Sequence, residues 1–512
     1  MKFIRNFSYH RILFTFIAIA VQLFVFIAVI IKFNEYFAFF YGGSLFISII
    51  AVLWIVNTKT NPVYKLAWII PVLMFPIFGV LFYAFFGGNK LSKREKRKMK
   101  YIGDKTRESL GEFPQLVLDE LSSQNLDAAN QSRYIYNYSY YPPYNQTISE
   151  YLPSGEIKFA RLKEELKKAK HYIFLEYFII EEGYMWDSIL EILVEKAREG
   201  VDVRVIFDDI GCLLKLPYGY DQELEKKGIK CSVFNPLIPL LSPRLNNRDH
   251  RKIAIIDGYV GFTGGINLAD EYINKIEKYG HWKDTAIMLK GDAVWSLTVM
   301  FLSMWDYIRG IDEDFNQFKK LIPEESKDFN DGYVQPFADN PLDDEPVGEI
   351  VYLNLINKAR KYIYITTPYL IIDSEMVTAL TSAAKAGVDV RIITPYRADK
   401  WYVHQVTRSH YKVLIENKVK VYEYTPGFIH SKTFVADDEY GVVGTINMDY
   451  RSLFLHFECG VWLYKSSSVK KMKEDFEHTL KMCQEITLKD LKNIKWYQTL
   501  IGTFLRIFAP LM

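Results

Sequence analysis

An excess of charge of one sign is missing from this sequence. Its 63 Lys and Arg against 61 Asp and Glu leave a net charge of +2 over 512 residues. No global field therefore draws the chain to nucleic acid, and none is expected as a partner. Cysteine is scarce too: Cys212, Cys231, Cys459 and Cys483 stand far apart, without paired spacing. That excludes a disulfide framework or a thiolate zinc site and reads as buried or free thiols. No His-Glu-x-x-His pattern or carboxylate cluster is present either, so no metal and no cofactor is expected.

Apolar residues are plentiful. With 49% hydrophobic and 24% charged residues the chain is globular, and its length asks for two to four units. Residues 12–31 and 37–56 are uncharged apolar runs long enough for helices crossing about 30 Å of hydrocarbon. A third run, 66–86, is interrupted by Pro71, Pro76 and Gly79. The basic stretch Lys90–Lys100 follows, a cytoplasmic flank by the positive-inside rule and a possible headgroup contact. Residues 1–89 are therefore expected to be a transmembrane segment. Three spans, or two spans plus a proline-bent hairpin, both leave the rest of the chain in the cytoplasm. The hairpin satisfies the charge rule better.

The remainder repeats itself. Residues 155–176, GEIKFARLKEELKKAKHYIFLE, parallel residues 348–366, GEIVYLNLINKARKYIYIT. Both run through an amphipathic helix into an aromatic, β-branched strand. A further helix in each copy ends at a C-cap glycine, Gly200 or Gly387, before another strand. The pattern predicts an α/β fold of two pseudo-symmetric lobes, 151–320 and 347–490, with mixed sheets covered by helices. Residues 90–150 and 321–346 read as linkers, and 491–512 as a C-terminal amphipathic segment that either lies in a membrane interface or packs on the lobes.

Late in each lobe stands one constellation. His250, Lys252, Asp257 and Asn267 correspond to His430, Lys432, Asp437 and Asn447 at a constant offset, since 430−250, 432−252, 437−257 and 447−267 all equal 180. In an extended strand residues i and i+2 share a face, so each lobe offers one imidazole beside one ammonium. The aspartate at the following turn can fix the lysine region by hydrogen bonding. Facing two such strands across a pseudo-twofold axis puts two imidazoles around one phosphate. One can attack phosphorus while the other protonates the leaving oxygen. The lysines and asparagines then bind the phosphoryl oxygens. His10, His171, His281, His404, His410 and His456 lie outside the motifs and read as structural or solvated.

The duplicated His-x-Lys-x4-Asp resembles the phospholipase D superfamily over roughly residues 150–490. Asn247–Lys252, Gly264–Tyr272 and Asn447–Ser452, with the membrane segment around Ala67-Trp68, Pro76, Gly79 and Phe85-Phe86-Gly87, are similar to the bacterial cardiolipin synthases. That resemblance implies transfer of a phosphatidyl group from one phosphatidylglycerol to another in an anionic membrane, through a phosphohistidine, with release of glycerol. His250 is then the nucleophile and His430 the acid and later the base, and pseudo-symmetry allows the exchange of these roles. It also implies that Asp284 and Glu458, 34 and 28 residues after the motif histidines, orient an imidazole.

Overall fold

In a computed structural model, the structure describes residues 37–58, 61–87, 93–112, 114–237, 246–319, 331–343, 345–493 and 495–509, with scattered positions between 17 and 31. Half of the apolar run 12–31 lies outside the described residues. The next run is helix α1 (Phe37–Val56), twenty uncharged residues whose side chains are described from residue 42 onward. Among the described residues, no helix is long and apolar enough to cross a membrane.

The run 66–86 is not one span. It is split between α2 (Pro62–Met74) and α3 (Pro76–Phe86), because Pro76 starts a new helix after Phe75 leaves helical geometry. The two fold back on each other: the Trp68 ring sits 5.4 Å from that of Tyr83. Gly79 makes this possible, since a Cβ there would meet the Pro71 carbonyl oxygen at 2.3 Å. At about 1.5 Å per residue neither arm reaches 30 Å, so the element is a short hairpin. It packs on α1, where the buried Ser48 hydroxyl donates to the Val72 carbonyl.

Residues 90–150, expected as linker, instead form α4 (Lys93–Leu110), α5 (Gln115–Gln124) and α6 (Leu126–Ser139). Asn125 caps α6 by accepting from the Asp127 and Ala128 amides. Part of the basic stretch faces protein rather than solvent: Lys98 donates to the Tyr307 carbonyl, and Lys105 bridges Asp306 and Asp312.

The first lobe is a sheet in the order β1-β9-β7-β6-β2-β3-β4, using β1 (Thr147–Leu152), β2 (Tyr172–Tyr177), β3 (Asp202–Asp208), β4 (Lys230–Phe234), β6 (Lys252–Ile256), β7 (Val260–Gly264) and β9 (Ala286–Gly291). The second runs β10-β17-β16-β15-β11-β12-β13-β18, from β10 (Tyr333–Asp339), β11 (Tyr362–Thr366), β12 (Asp389–Pro395), β13 (Lys420–Tyr424), β15 (Thr433–Ala436), β16 (Tyr440–Gly444), β17 (His456–Tyr464) and β18 (Cys483–Ile486). In both, three strands run parallel, β2 with β3 and β4 and β11 with β12 and β13, while the other neighbours in each order pair antiparallel, the mixed sheet the repeat predicts. The second lobe begins at β10, inside the expected linker 321–346.

Between the sheets lies Val294–Arg309, a helix buried on nearly every side, as an all-round apolar sequence requires. Its side chains share one core with Phe174 and Ile253 of the first sheet and Tyr364, Val435 and Val461 of the second. The lobes are thus one body. Two short strands stitch them further: β5 (Arg248–Asp249) pairs in parallel with the start of β17, and β8 (His281–Lys283) with β14 (Gly427–Ile429).

Candidate active site

These two stitches set the site. β5 immediately precedes His250 and β14 immediately precedes His430. The His250 amide donates to the Phe457 carbonyl at 2.9 Å, and the His430 amide to the Lys283 carbonyl at 2.7 Å. Each motif histidine is thereby fastened to the residue just before the acidic side chain of the opposite lobe. The carboxylates then cross over. His250 Nδ1 lies 2.8 Å from Glu458 Oε1, and His430 Nδ1 lies 2.7 Å from Asp284 Oδ2. Asp284 and Glu458 were read by their distance from the motif of their own lobe; the structure pairs each with the other lobe's imidazole. With Nδ1–H donating to a carboxylate, each Nε2 keeps its lone pair toward the cleft.

Lys252 donates to the carbonyl of His250 at 2.5 Å, and Lys432 makes the same bond to His430. All four groups are buried, His250 and His430 being each 7% exposed. Burial, reinforced by the neighbouring lysines, lowers His250 well below the ordinary imidazole value and brings His430 down to about 4. Burial likewise pulls Lys252 down to about 8 and Lys432 to about 7. The site gathers two buried lysines beside the two imidazoles.

Asp257 and Asp437 are elsewhere. Asp257 accepts from the Lys170, His171 and Tyr172 amides, and Asp437 from those of Arg360, Lys361 and Tyr362. Both adopt positive φ, 53° and 56°, so that one carboxylate caps the start of the adjacent strand. They hold β2 and β11 rather than the lysines. Asn267 and Asn447 follow β7 and β16 beside the motifs. Asn267 accepts from the Ile179 amide and donates to the Tyr272 hydroxyl. The buried Oδ1 of Asn447 has no hydrogen-bond partner among the described residues.

Several residues at the site were not read from sequence. Thr445 and Ser452 both donate to the Glu458 carboxylate. Thr445 stands 180 residues after Gly265, whose missing Cβ leaves room for Asp284 Oδ1, 2.1 Å from where that Cβ would lie. Phe178 and Trp282 lay rings 5.0 and 5.4 Å from His250 and His430. Arg251, between His250 and Lys252, makes a buried 2.6 Å ion pair with Glu176. His456, expected to be structural, has its ring 5.5 Å from that of His250. His250, His456 and Glu458 bring ligand-capable atoms within 4.8 Å of one another. The Glu458 oxygens are already engaged by His250, Ser452 and Thr445.

Comparison with known proteins decides the family. The profile "Cardiolipin synthase, PLD-like domain" matches residues 162–305 and 352–480, and "Phospholipase_D-nuclease N-terminal" matches 46–88. The chain belongs to the cardiolipin synthase family of the phospholipase D superfamily. It is 35% identical to a cardiolipin synthase of Halalkalibacterium halodurans over 88% of this chain and 90% of that protein. It is 43% identical to an uncharacterized protein of Streptococcus mutans over 90% and 99% of the two chains. Among solved structures, the phosphatidylserine synthase of Haemophilus influenzae matches with a TM-score of 0.55 at 16% identity, covering 74% of this chain and 98% of that one. That likeness shows the shared two-lobe fold. The chain is therefore a phosphatidyltransferase of this superfamily, and its relatives support cardiolipin synthesis.

Proposed function

We propose that the enzyme joins two phosphatidylglycerol molecules into cardiolipin and glycerol through a phosphatidyl-histidine at His250. The observation that carries this reading is the pair of imidazoles, each oriented by the opposite lobe's carboxylate beside a buried lysine. His250 Nε2 attacks phosphorus, and the bond from phosphorus to the glycerol oxygen breaks. His430 Nε2–H gives its proton to that oxygen. Burial and, after it, the lysine field depress His430; an anionic phosphodiester between Lys252 and Lys432 offsets that field and favours the protonated imidazole that must donate. In the second half, the acceptor hydroxyl returns a proton to His430 as its oxygen bonds to phosphorus. The nitrogen–phosphorus bond breaks and its electron pair returns to His250. Lys252, Lys432, Asn267 and Asn447 meet the phosphoryl oxygens as charge spreads over them.

Seating on an anionic membrane, with the lobes on its cytoplasmic side, belongs to the same reading. Two features support it. α1 and the hairpin expose Phe46, Leu53, Trp54, Met74 and Phe75. The C-terminal helix Trp496–Ile507 packs Gly502 near Gln405 and Ser409, yet exposes Trp496, Leu500, Phe504 and Ile507 along its other side. The two alternatives for this segment are thus compatible: one face packs on the lobe, the other is an apolar stripe. Both elements meet at the second lobe, where Val63 and Leu505 pack with Ile371 and Tyr450, and Asn61 donates to Asp373 at 2.9 Å.

Membranes carrying the protein, given labelled phosphatidylglycerol without added metal, test the assignment. Cardiolipin plus glycerol, lost in His250→Ala and in His430→Ala, is the expected result. Phosphatidic acid as the sole product would make the enzyme a hydrolase.

A further inference from the structure

The active centre holds a third imidazole that the two-histidine chemistry does not use. His456 opens β17 as the Cα partner of Arg248 in β5. It is 9% exposed, and neither ring nitrogen has a hydrogen-bond partner among the described residues. Glu458 Oε1 is 3.9 Å from its Nδ1, beyond hydrogen-bond reach. Two unsatisfied buried nitrogens are costly and ask for a ligand.

The surroundings name the ligand's charge. Arg451, Arg248, Lys252 and Lys400 all bear electrostatically on the His456 ring and, with burial, keep it neutral. A neutral imidazole still offers one N–H donor. Carboxylates stand beside these cations too: Asp208 is 3.4 Å from Arg248 Nη1, Asp449 caps the helix carrying Arg451, Asp399 accepts from the Lys400 amide, and Glu458 is already engaged by His250, Ser452 and Thr445. Burial pushes Asp208 up to about 7 and raises Asp449. Lys400 precedes the helix Trp401–Glu416, against which the C-terminal helix lies. Lys400 thus stands beside the place where the apolar elements gather, since Val403 and Val406 of that helix pack with Val63 and Leu505.

We propose that His456, Arg248, Arg451 and Lys400 form a second anion subsite, which binds the phosphate of the acceptor phosphatidylglycerol beside the phosphorus attacked by His250. This rests on the synthase reading above. The acceptor lipid differs from water or glycerol in carrying a phosphodiester five bonds from its attacking hydroxyl. A subsite one ring beyond His250 grips that anion, and guanidinium groups suit phosphate geometry. It gives the acceptor lipid an advantage that neutral acceptors lack.

Purified full-length enzyme in detergent micelles, with phosphatidylglycerol and labelled glycerol, separates the two acceptors. Glycerol exchange needs the donor site and a neutral acceptor; cardiolipin formation needs the second phosphate as well. In His456→Gln and Arg451→Gln the ratio of cardiolipin formation to glycerol exchange is expected to fall at least tenfold, and several-fold in Lys400→Gln. Lys400 is exposed, so its variant reads the subsite even where the buried replacements fail to fold. An unchanged ratio, with both reactions falling together or neither falling, overturns the subsite. Wild-type enzyme that exchanges glycerol but makes no cardiolipin overturns the synthase reading itself, a result distinct from the first.

Discussion

Glu458 of the second lobe holds His250 of the first at 2.8 Å, and neither side chain can be placed without the other lobe. The reciprocal pair, Asp284 with His430 at 2.7 Å, makes the site a property of the assembled body. A lobe on its own would present an imidazole without its orienter.

Glu458→Gln keeps the shape of the side chain and removes its charge. The amide puts an N–H donor in place of one acceptor oxygen and carries no charge, so the imidazole tautomer is no longer fixed, and cardiolipin formation is expected to fall about 10²–10⁴-fold. Asp284→Asn should do the same through His430. Because each pair acts as a unit, His250→Ala combined with Glu458→Gln should be scarcely slower than His250→Ala alone. Initial rates on protein with unchanged thermal unfolding check this, and multiplicative losses would contradict it.

The motif aspartates predict a different phenotype. Asp257→Ala strips an acceptor from three backbone amides and is expected to cost about 2–4 kcal/mol of stability. Asp257→Asn tolerates the left-handed backbone and keeps one acceptor oxygen, so it should cost less. Thermal unfolding reads the difference, while turnover per folded molecule in Asp257→Asn stays within a few-fold of wild type. The same holds for Asp437.

The pH dependence follows from His430. Burial and Lys432 lower its imidazole to about 4 in the folded protein, against about 6.5 when unfolded. Between those values the unfolded chain binds more protons, so stability rises with pH and is lost as pH falls from 6.5 toward 4. The full contribution is on the order of 3 kcal/mol. The unfolding midpoint of His430→Gln in detergent should therefore change less over that interval than that of wild type. Parallel curves for the two would contradict the buried neutral imidazole.

Much of the site was legible because duplication writes it twice: a constant 180-residue offset marks His, Lys, Asp and Asn without any structure. The crossing of Glu458 and Asp284 was not, since it depends on β5 meeting β17 and β14 meeting β8. Such pairings join segments about 150–210 residues apart and leave no local pattern. β10 was hidden by Pro336, which argues against a strand; it is tolerated because β10 lies at the sheet edge. The helices at 93–139 were obscured by tyrosines and asparagines, which weaken helical periodicity, although packing and the Asn125 cap stabilise them. Pro76 and Gly79, by contrast, interrupt the run 66–86 in the sequence where the structure divides it into α2 and α3. Aspartates 257 and 437 were expected to fix the lysine region, whereas the fold uses them as caps on backbone amides of the adjacent strand, a partner that their spacing does not reveal.

The most direct test of the account is to quench the enzyme during turnover of phosphatidylglycerol labelled at phosphorus and locate the label by peptide mass spectrometry. The account predicts an acid-labile phosphatidyl group on His250, absent in His250→Ala and formed far more slowly in His430→Ala, which lacks the acid for the departing glycerol. Label on His430 instead, or full turnover with no labelled histidine, would contradict it.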